Sequence, residues 1–278
     1  MGVLDMNSEK KIIEKWYKRL GFAPEYDCEF YELLKHTDID PTQSAESYCT
    51  GAHDGREAFL MQLYFLETAK KQYAERGIPD EIFYDTMHDI VRWTDTWHPL
   101  TGKLCQGEML WLRLHLTFRL FKLGRLQFCM QEFDKDYPDF GIKSSDRFLD
   151  VHIPAEGPLD IGECEKSFRA AIEFFAKFFP KFEYKYFSCF SWLLDETLLK
   201  YIKPDSNIIR FGRLFVPIDR VAADDILKFT FSRAATRENL DGYEAKNAFQ
   251  QRIKDAISAG EIFYETKGII DRARYENR

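Results

Sequence analysis

The side chain of His152 is well placed for acid–base chemistry, near the end of a strand predicted over residues 148–153. Imidazole can accept a proton near neutral pH, which suits it to the role of general base. Open sheets also tend to present functional groups at the ends of their strands. Strand alternation places His152 on the side of Asp150, opposite Val151 and Ile153. A half-exposed, hydrogen-bonded structural histidine is therefore the alternative to a catalytic base.

Cys189 and Ser191 flank Phe190 in a second predicted strand, over residues 184–190 and just beyond. If the alternation persists, their thiol and hydroxyl point to the same side. A thiol is a good nucleophile only where a base or a helix dipole lowers its pKa, and no nearby residue of the sequence supplies one. His152 could do so through space, which would make a Cys/His pair. The alternative is a buried and unreactive cysteine, the usual condition of a free thiol.

A long helix separates these two strands. Apolar residues recur every three or four positions over 161–179, Asp160 precedes them as an N-cap, and Pro180 stops the helix. A turn over residues 154–160 leads from the strand that carries His152 into this helix. The order strand, turn, helix and strand is thus predicted around the candidate catalytic residues.

The whole chain reads as two domains with a boundary near residue 120. Residues 1–120 show helical periodicity, and the last helix of that series is predicted over 107–123. Just after it, apolar and polar residues alternate as in a half-buried strand. Further strands are predicted over 208–216 and 226–231. The expectation is a helical domain followed by an α+β domain over 121–278.

Several phrases of the sequence resemble a known family. In the second half they read VHIPAEGPLD, IGECEKSFRAAIEFFAKFFP, FEYKYFSCFSWLLDETLLKYI and KPDSNIIRFGRLF, and upstream they read PDEIFYDTMHDIVRW and RLFKLGRLQF. Together these phrases resemble a family of GNAT-like acyltransferase-domain proteins. The resemblance covers most of the chain. It implies an α+β fold, in which a helical N-terminal domain precedes a GNAT-like mixed β-sheet domain with flanking helices.

The resemblance also implies acyl-CoA or acetyl-CoA as co-substrate. In a GNAT fold the pyrophosphate lies on backbone N–H groups where a central strand turns into a helix. The matching residues here are Ala155, Glu156, Gly157 and Leu159. The turn departs from the family-wide acetyl-CoA pattern, an Arg or Gln followed by glycines, because Gly157 is its only glycine. In addition, Glu156 and Asp160 would repel phosphate, and Pro158 has no N–H. An ordinary turn that uses Gly157 for its backbone angle is the alternative.

The reaction that the resemblance implies is transfer of an acyl group from acyl-CoA to a small amine or hydroxyl acceptor by direct attack. His152 would accept the acceptor's proton. In many GNAT enzymes a tyrosine in the helix after the second central strand protonates the departing thiolate, and Tyr201 is the tyrosine in that position. A catalytically inactive GNAT-fold ligand-binding or scaffold protein is the main alternative, and the absent glycine pattern favours it. A Cys/His hydrolase that uses Cys189 is a third possibility.

Composition excludes several other classes of function. The net charge of −7 argues against a broad nucleic-acid-binding surface, which needs clustered Lys and Arg. The chain has no apolar run of about 18 residues and no apolar secretory signal at its amino terminus, so no membrane association and a cytoplasmic location are expected. The six cysteines and six histidines show no metal-ligand spacing, so no metal is expected. The sequence leaves the oligomeric state open.

Overall fold

The computed structural model describes residues 8–276 of the chain, which divide into two compact units between Lys122 and Leu123. The first unit is helical. Its helices are α1 (Ser8–Leu20), α2 (Asp27–His36), α3 (Ala45–Tyr48), α4 (Gly55–Glu75), α5 (Asp80–Met87), α6 (Asp89–Thr101) and α7 (Met109–Leu116).

Aromatic side chains form the centre of the first unit. Helix α1 packs on α4, and Trp16 and Tyr73 each contact Phe83, with ring centroids 5.5 and 5.1 Å apart. All three rings are almost fully buried. The carboxylate of Asp54 accepts a hydrogen bond from the backbone N–H of Arg56 at 2.7 Å and so begins α4.

The second unit contains most of a six-stranded sheet. The strands are β1 (Leu120–Leu123), which straddles the boundary between the units, β2 (Leu126–Glu132), β3 (Arg147–His152), β4 (Tyr186–Ser191), β5 (Val216–Ala222) and β6 (Tyr264–Asp271). The helices are α8 (Ile161–Phe178), α9 (Asn207–Gly212), α10 (Asp225–Thr230), α11 (Ala248–Ser258) and α12 (Ala273–Glu276).

The sheet has the strand order β1-β2-β3-β4-β6-β5. β3 and β4 are parallel, whereas the β2/β3, β4/β6 and β5/β6 pairs are antiparallel. The parallel pair is at the centre and is connected through α8. This arrangement confirms the predicted fold class, a helical N-terminal region followed by a GNAT-like mixed sheet with flanking helices.

Helix α8 covers one face of the sheet. Phe168 on this helix contacts Phe128 of β2 and Phe187 of β4 at centroid distances of 5.8 and 4.9 Å, and it stacks on Tyr275 of α12. We call this the helix-covered face. The opposite face, which we call the second face, carries Asp150, His152, Ser188 and Phe190. Part of the second face is covered by an apolar cluster that contains Phe133, Tyr137, Ile142 and Phe148.

One predicted helix is shorter in the structure than in the sequence-based expectation. The helix predicted over 107–123 ends at Leu116, and its last residues form strand β1 instead. Phe118 has a φ of 68°, a left-handed conformation that interrupts a right-handed helix. The backbone N–H of Lys122 then donates to Oγ1 of Thr86 at 2.9 Å. The periodicity of apolar residues did not reveal this change of backbone direction.

The strands predicted over 208–216 and 226–231 are wrong, because these segments form the short helices α9 and α10. Ser206 begins α9 by accepting a hydrogen bond from the backbone N–H of Ile209 at 3.4 Å. Both helices bury apolar side chains in one cluster. Its members include Leu198, Ile209, Ile226, Leu227, Ile253 and Phe263. Such short apolar runs are ambiguous between helix and strand, and tertiary packing decided in favour of helix.

No helix within residues 8–276 is both long and apolar enough to cross a bilayer.

Candidate functional site

The two central strands separate at their carboxyl ends. β3 and β4 pair at three positions, and the last of them joins Asp150 to Ser188. β3 continues to His152 and β4 continues to Ser191, although their pairing has stopped. A gap bounded by backbone therefore opens between these strand ends. Ligands of open α/β sheets bind outside the carboxyl ends of the strands.

The turn from β3 into α8 lies at this open end. Gly157 has a φ of +67°, a left-handed angle that suits glycine because it has no Cβ. Oδ1 of Asp160 accepts a hydrogen bond from the backbone N–H of Glu163 at 3.0 Å and begins α8 as predicted. The Arg125 guanidinium donates from Nε to the Pro158 carbonyl oxygen at 2.9 Å. This contact occupies a carbonyl oxygen of the turn, not one of its N–H groups.

The N–H groups of this turn are available to an anion. Within residues 8–276, the backbone amides of Ala155, Gly157 and Leu159 donate no hydrogen bond to protein atoms. Glu156 is exposed to solvent. The amides precede an 18-residue helix whose dipole adds positive potential at its N-terminus. The turn thus combines N–H donors, a helix dipole and the nearby charge of Arg125.

His152 lies beside a carboxylate on the second face. Its Nε2 is 3.1 Å from Oδ2 of Asp150, and the two side chains are 30% and 21% exposed. A carboxylate at this distance orients the ring. The contact joins two residues of the same strand that point to one face, as alternation predicted. His152 can therefore act as a proton acceptor at the open end of the sheet.

The structure does not bring Cys189 and His152 together. Asp150 pairs with Ser188 in a parallel register, so both point to the second face, and His152 shares that face. Cys189 points to the helix-covered face and is 1% exposed. Burial raises the pKa of its thiol well above the ordinary value, and the charges of Asp150 and Glu265 raise it further. The geometry offers no activated thiolate.

Replacing Cys189 by Ala is expected to leave the acyl-transfer activity that the family resemblance implies close to the wild-type rate. The loss of the side chain removes apolar packing but no group on the face that carries His152. Turnover of the variant and alkylation of the native protein with iodoacetamide test this expectation. Cys28, which is exposed, serves as the reference thiol that should react. Inactivation caused by alkylation of Cys189 would instead support a covalent mechanism with Cys189 as the nucleophile.

Ser191 and Tyr201 both have protein partners. Oγ of Ser191 accepts a hydrogen bond from the backbone N–H of Leu193 at 3.2 Å and caps a short 3-10 helix, Trp192–Leu194. The Tyr201 hydroxyl donates to Oε2 of Glu261 at 2.6 Å. Burial and this contact raise the pKa of Tyr201 to about 12, so its phenol stays protonated. A catalytic role of either group is not required to explain its contacts.

Two polar residues of the second face were not identified from the sequence. Gln127 on β2 pairs with His152 across the antiparallel register and shares its face. It is 2% exposed, and its Nε2 has no hydrogen-bond partner within residues 8–276. Glu265 on β6 is half-buried, and burial, helped by Asp225, raises the pKa of its carboxyl to about 7. No local pattern marks either residue, because both depend on which strands become neighbours.

Among residues 8–276, no group of three or more His, Cys, Asp and Glu side chains is arranged to hold a metal ion.

Comparisons with known proteins agree with this architecture. No curated protein matches the chain. A solved structure described as an acyltransferase in complex with decanoyl-CoA and teicoplanin is 22% identical, with a TM-score of 0.74 over 93% of this chain and 87% of the other. A second, an acyltransferase mutant in complex with octanoyl-CoA, is 21% identical, with a TM-score of 0.76 over 96% of this chain and 89% of the other. At these identities the likeness shows the fold.

Family matches divide the chain into two parts. Residues 13–118 match the N-acyltransferase N-terminal domain, and residues 120–270 match the GNAT-like C-terminal domain. The second match alone covers more than half of the 278 residues. The chain therefore belongs to the family of proteins with a GNAT-like C-terminal domain, preceded by an N-acyltransferase N-terminal domain.

Proposed function

We propose that the protein is an acyltransferase that transfers an acyl group from acyl-CoA to a small amine or hydroxyl acceptor by direct attack. The observation that carries this proposal is the turn before α8, where three backbone amides have no protein partner and lie next to the gap between β3 and β4. A pyrophosphate needs this combination of N–H donors and a helix N-terminus.

The residues of the turn fit a CoA pyrophosphate in most respects. The amides of Ala155, Gly157 and Leu159 supply donors, and Arg125 adds a cation beside the turn. Pro158 supplies no N–H, and the carboxylate of the exposed Glu156 would have to point away from the phosphates. The structural neighbours bind octanoyl-CoA and decanoyl-CoA, so these thioesters belong in the first test beside acetyl-CoA.

His152 is the proposed general base. In direct attack the acceptor's nitrogen or oxygen forms a bond to the thioester carbon, the carbon–sulfur bond breaks and CoA leaves as the thiolate. The acceptor's proton passes to the imidazole, which Asp150 orients. The roles of Ser191 in catalysis and of Tyr201 in protonating the thiolate stay predictions, since their contacts with Leu193 and Glu261 neither require nor exclude them.

The binding step can be tested by thermal unfolding with CoA, acetyl-CoA, octanoyl-CoA and decanoyl-CoA. A ligand at about one hundred times its Kd adds about 2.7 kcal/mol to the stability of the native state, which corresponds to a rise in Tm of roughly 5 °C. A Tm unchanged by a large excess of every thioester would contradict the proposal. Binding without release of CoA in the presence of any amine or hydroxyl acceptor would favour the ligand-binding or scaffold alternative.

Replacing Gly157 by Asp is expected to abolish this stabilisation by acyl-CoA. The new carboxylate adds negative charge where the phosphates would lie, and the left-handed φ of +67° costs the free protein about 1–2 kcal/mol. Gly141 is a matched control because it has a φ of +65° and because, as at Gly157, a Cβ added there would have no atom within 4 Å. Gly141→Asp should lose similar stability and keep acyl-CoA binding. Equal acyl-CoA affinity in both variants would show that the turn is not part of the binding site.

A further inference from the structure

An apolar area of the second face remains exposed beside Glu265. Phe190 on β4 and Val216 and Val221 on β5 are 45%, 54% and 52% exposed. Their register partners on β6 are Lys267, Ile269 and Glu265, so all of these side chains point to the same face. The area lies towards the carboxyl ends of the central strands, the end at which β3 carries His152.

Glu265 is a carboxyl group without a protein counter-ion on this face. Its side chain makes no hydrogen bond or ion pair in the described part of the chain. Two charged groups act on it from α10. These are Asp225, which opposes its ionisation, and Lys228, which favours it but donates to Asp225 at 3.0 Å. Burial has the largest effect, and the carboxyl is therefore less stable as an anion than an exposed glutamate.

The nearest basic residue on the same strand does not neutralise Glu265. Lys267 is two positions further along β6, and its Nζ lies 5.3 and 5.4 Å from the ring centroids of Phe133 and Phe148. Its carboxylate neighbour is Asp134, at 3.8 Å. Lys267 thus belongs to the apolar cluster at the other end of the second face. A cation that pairs with the half-buried carboxyl of Glu265 would therefore come from a ligand.

A second observation independently points to a ligand on this face. Gln127, beside His152, is 2% exposed, and its buried Nε2 has no partner among residues 8–276. A buried amide that lacks a hydrogen bond costs about 1–3 kcal/mol. Gln127 and Glu265 lie on opposite sides of His152 across the sheet, on β2 and β6.

We propose that Glu265 binds a cationic ammonium group of the acceptor, distinct from the amine or hydroxyl that attacks the thioester, that the apolar part of the acceptor rests on Phe190 and Val221, and that Glu265 selects cationic over neutral acceptors. This inference rests on the acyl-transfer function proposed above. An ammonium group supplies the positive counter-charge that the Glu265 carboxylate does not have in the free protein. An alcohol of the same shape provides no charge and leaves the half-buried carboxylate without a counter-ion.

The test compares phenethylamine, which is cationic at about pH 8, with the neutral phenethyl alcohol. Thermal unfolding of the wild type should show a rise in Tm of about 2 °C or more with the amine and little change with the alcohol. Glu265→Gln should lose the response to the amine. Glu261→Gln is the control, because Glu261 lies four residues earlier and already pairs with Lys200 and Tyr201. It should keep that response.

The pH dependence of stability gives a readout that needs no ligand. The pKa of Glu265 is raised to about 7 in the folded state. Ionisation of Glu265 therefore destabilises the fold, and this destabilisation grows as the pH rises from the unfolded-state pKa to the folded-state pKa. Glu265→Gln should therefore raise Tm at about pH 8 and leave it nearly unchanged at about pH 4.

The response to octanoyl-CoA separates this inference from the proposed function. Glu265→Gln should keep that response, since Glu265 is not part of the turn before α8. Octanoyl-CoA that stabilises neither protein would contradict acyl-CoA binding itself. Three outcomes would overturn the role of Glu265 alone, provided that octanoyl-CoA binds normally. The wild type could fail to respond to phenethylamine, it could respond equally to the amine and the alcohol, or Glu265→Gln could keep the full response to the amine.

Discussion

Replacing His152 by Gln is expected to lower kcat for acyl transfer by a factor of about 10² to 10⁴, the usual contribution of a general base. Glutamine retains a polar side chain of similar length but cannot accept the acceptor's proton. Because the imidazole is partly exposed and lies outside the turn before α8, acyl-CoA binding and Tm should change little. Release of CoA in single-turnover and steady-state assays measures the effect.

Two further variants separate catalysis by His152 from a structural role. Asp150→Asn keeps the shape of the partner but removes the charge 3.1 Å from Nε2, so it should lower kcat less than His152→Gln does and leave acyl-CoA affinity unchanged. His36→Gln changes an exposed histidine of the first unit and should have no effect. A His152→Gln protein with wild-type kcat would show that His152 is the structural histidine considered from the sequence.

A buried ionic network in the first unit supports the second large prediction. Asp89 is 4% exposed, and its oxygens accept hydrogen bonds from Nε of Arg92 at 2.9 Å and from Nε1 of Trp111 at 2.8 Å. Nε2 of the fully buried His115 is 3.0 Å from Oδ2 of Asp89. Burial by itself raises the pKa of Asp89, but the contacts with His115, Arg92 and Trp111 outweigh it and hold the pKa well below its usual range.

Replacing Asp89 by Asn is expected to destabilise the protein by about 3–5 kcal/mol, because it removes the buried carboxylate charge that pairs with the mostly buried Arg92 guanidinium. Urea unfolding followed by tryptophan fluorescence reports the change, since Trp111 is part of the network. Asp80→Asn is the control. Asp80 also lies in the first turn of a helix, but it is exposed and pairs with Lys70. Its replacement should cost about 1 kcal/mol or less.

The sign of the pH dependence follows from the lowered pKa of Asp89. Its stabilisation is fully present above the unfolded-state value of about 3.9 and is lost as the pH falls towards the folded-state pKa. The difference in stability between the wild type and Asp89→Asn should therefore be constant from about pH 8 to about pH 5 and shrink below about pH 4. A difference that grows on acidification would contradict the assigned network.

The parts of the fold that sequence patterns predicted well have strong local signals. Helix α8 combines a long apolar periodicity with an aspartate cap, and both appear in the structure. The turn before it requires a left-handed residue, and Gly157 occupies that position. β3 and β4 were placed to within about two residues because short apolar strands flanked this helix. The location of the candidate site at the end of β3 followed from this order of elements.

Elements without such local signals were predicted poorly. The segments around α9 and α10 are short, apolar and compatible with either helix or strand. Their helical state depends on a shared cluster with side chains such as Phe263, which is distant in sequence. The end of α7 likewise depends on one residue, Phe118, in a left-handed conformation. Tertiary contacts overrode the local preference in each case.

By itself, the sequence determined the class of the protein, its helical and α+β parts, and a histidine and a helix-capped turn at the end of a central strand. These features rest on residues close together in the chain, so periodicity, caps and glycine positions report them directly. Only the tertiary structure decided which side chains share a surface. The strand register set Cys189 apart from His152 and placed Glu265 and Gln127 on the face of His152. The reason is physical: a shift of one residue in register moves every side chain of a strand to the opposite face, and register is set by contacts between distant segments.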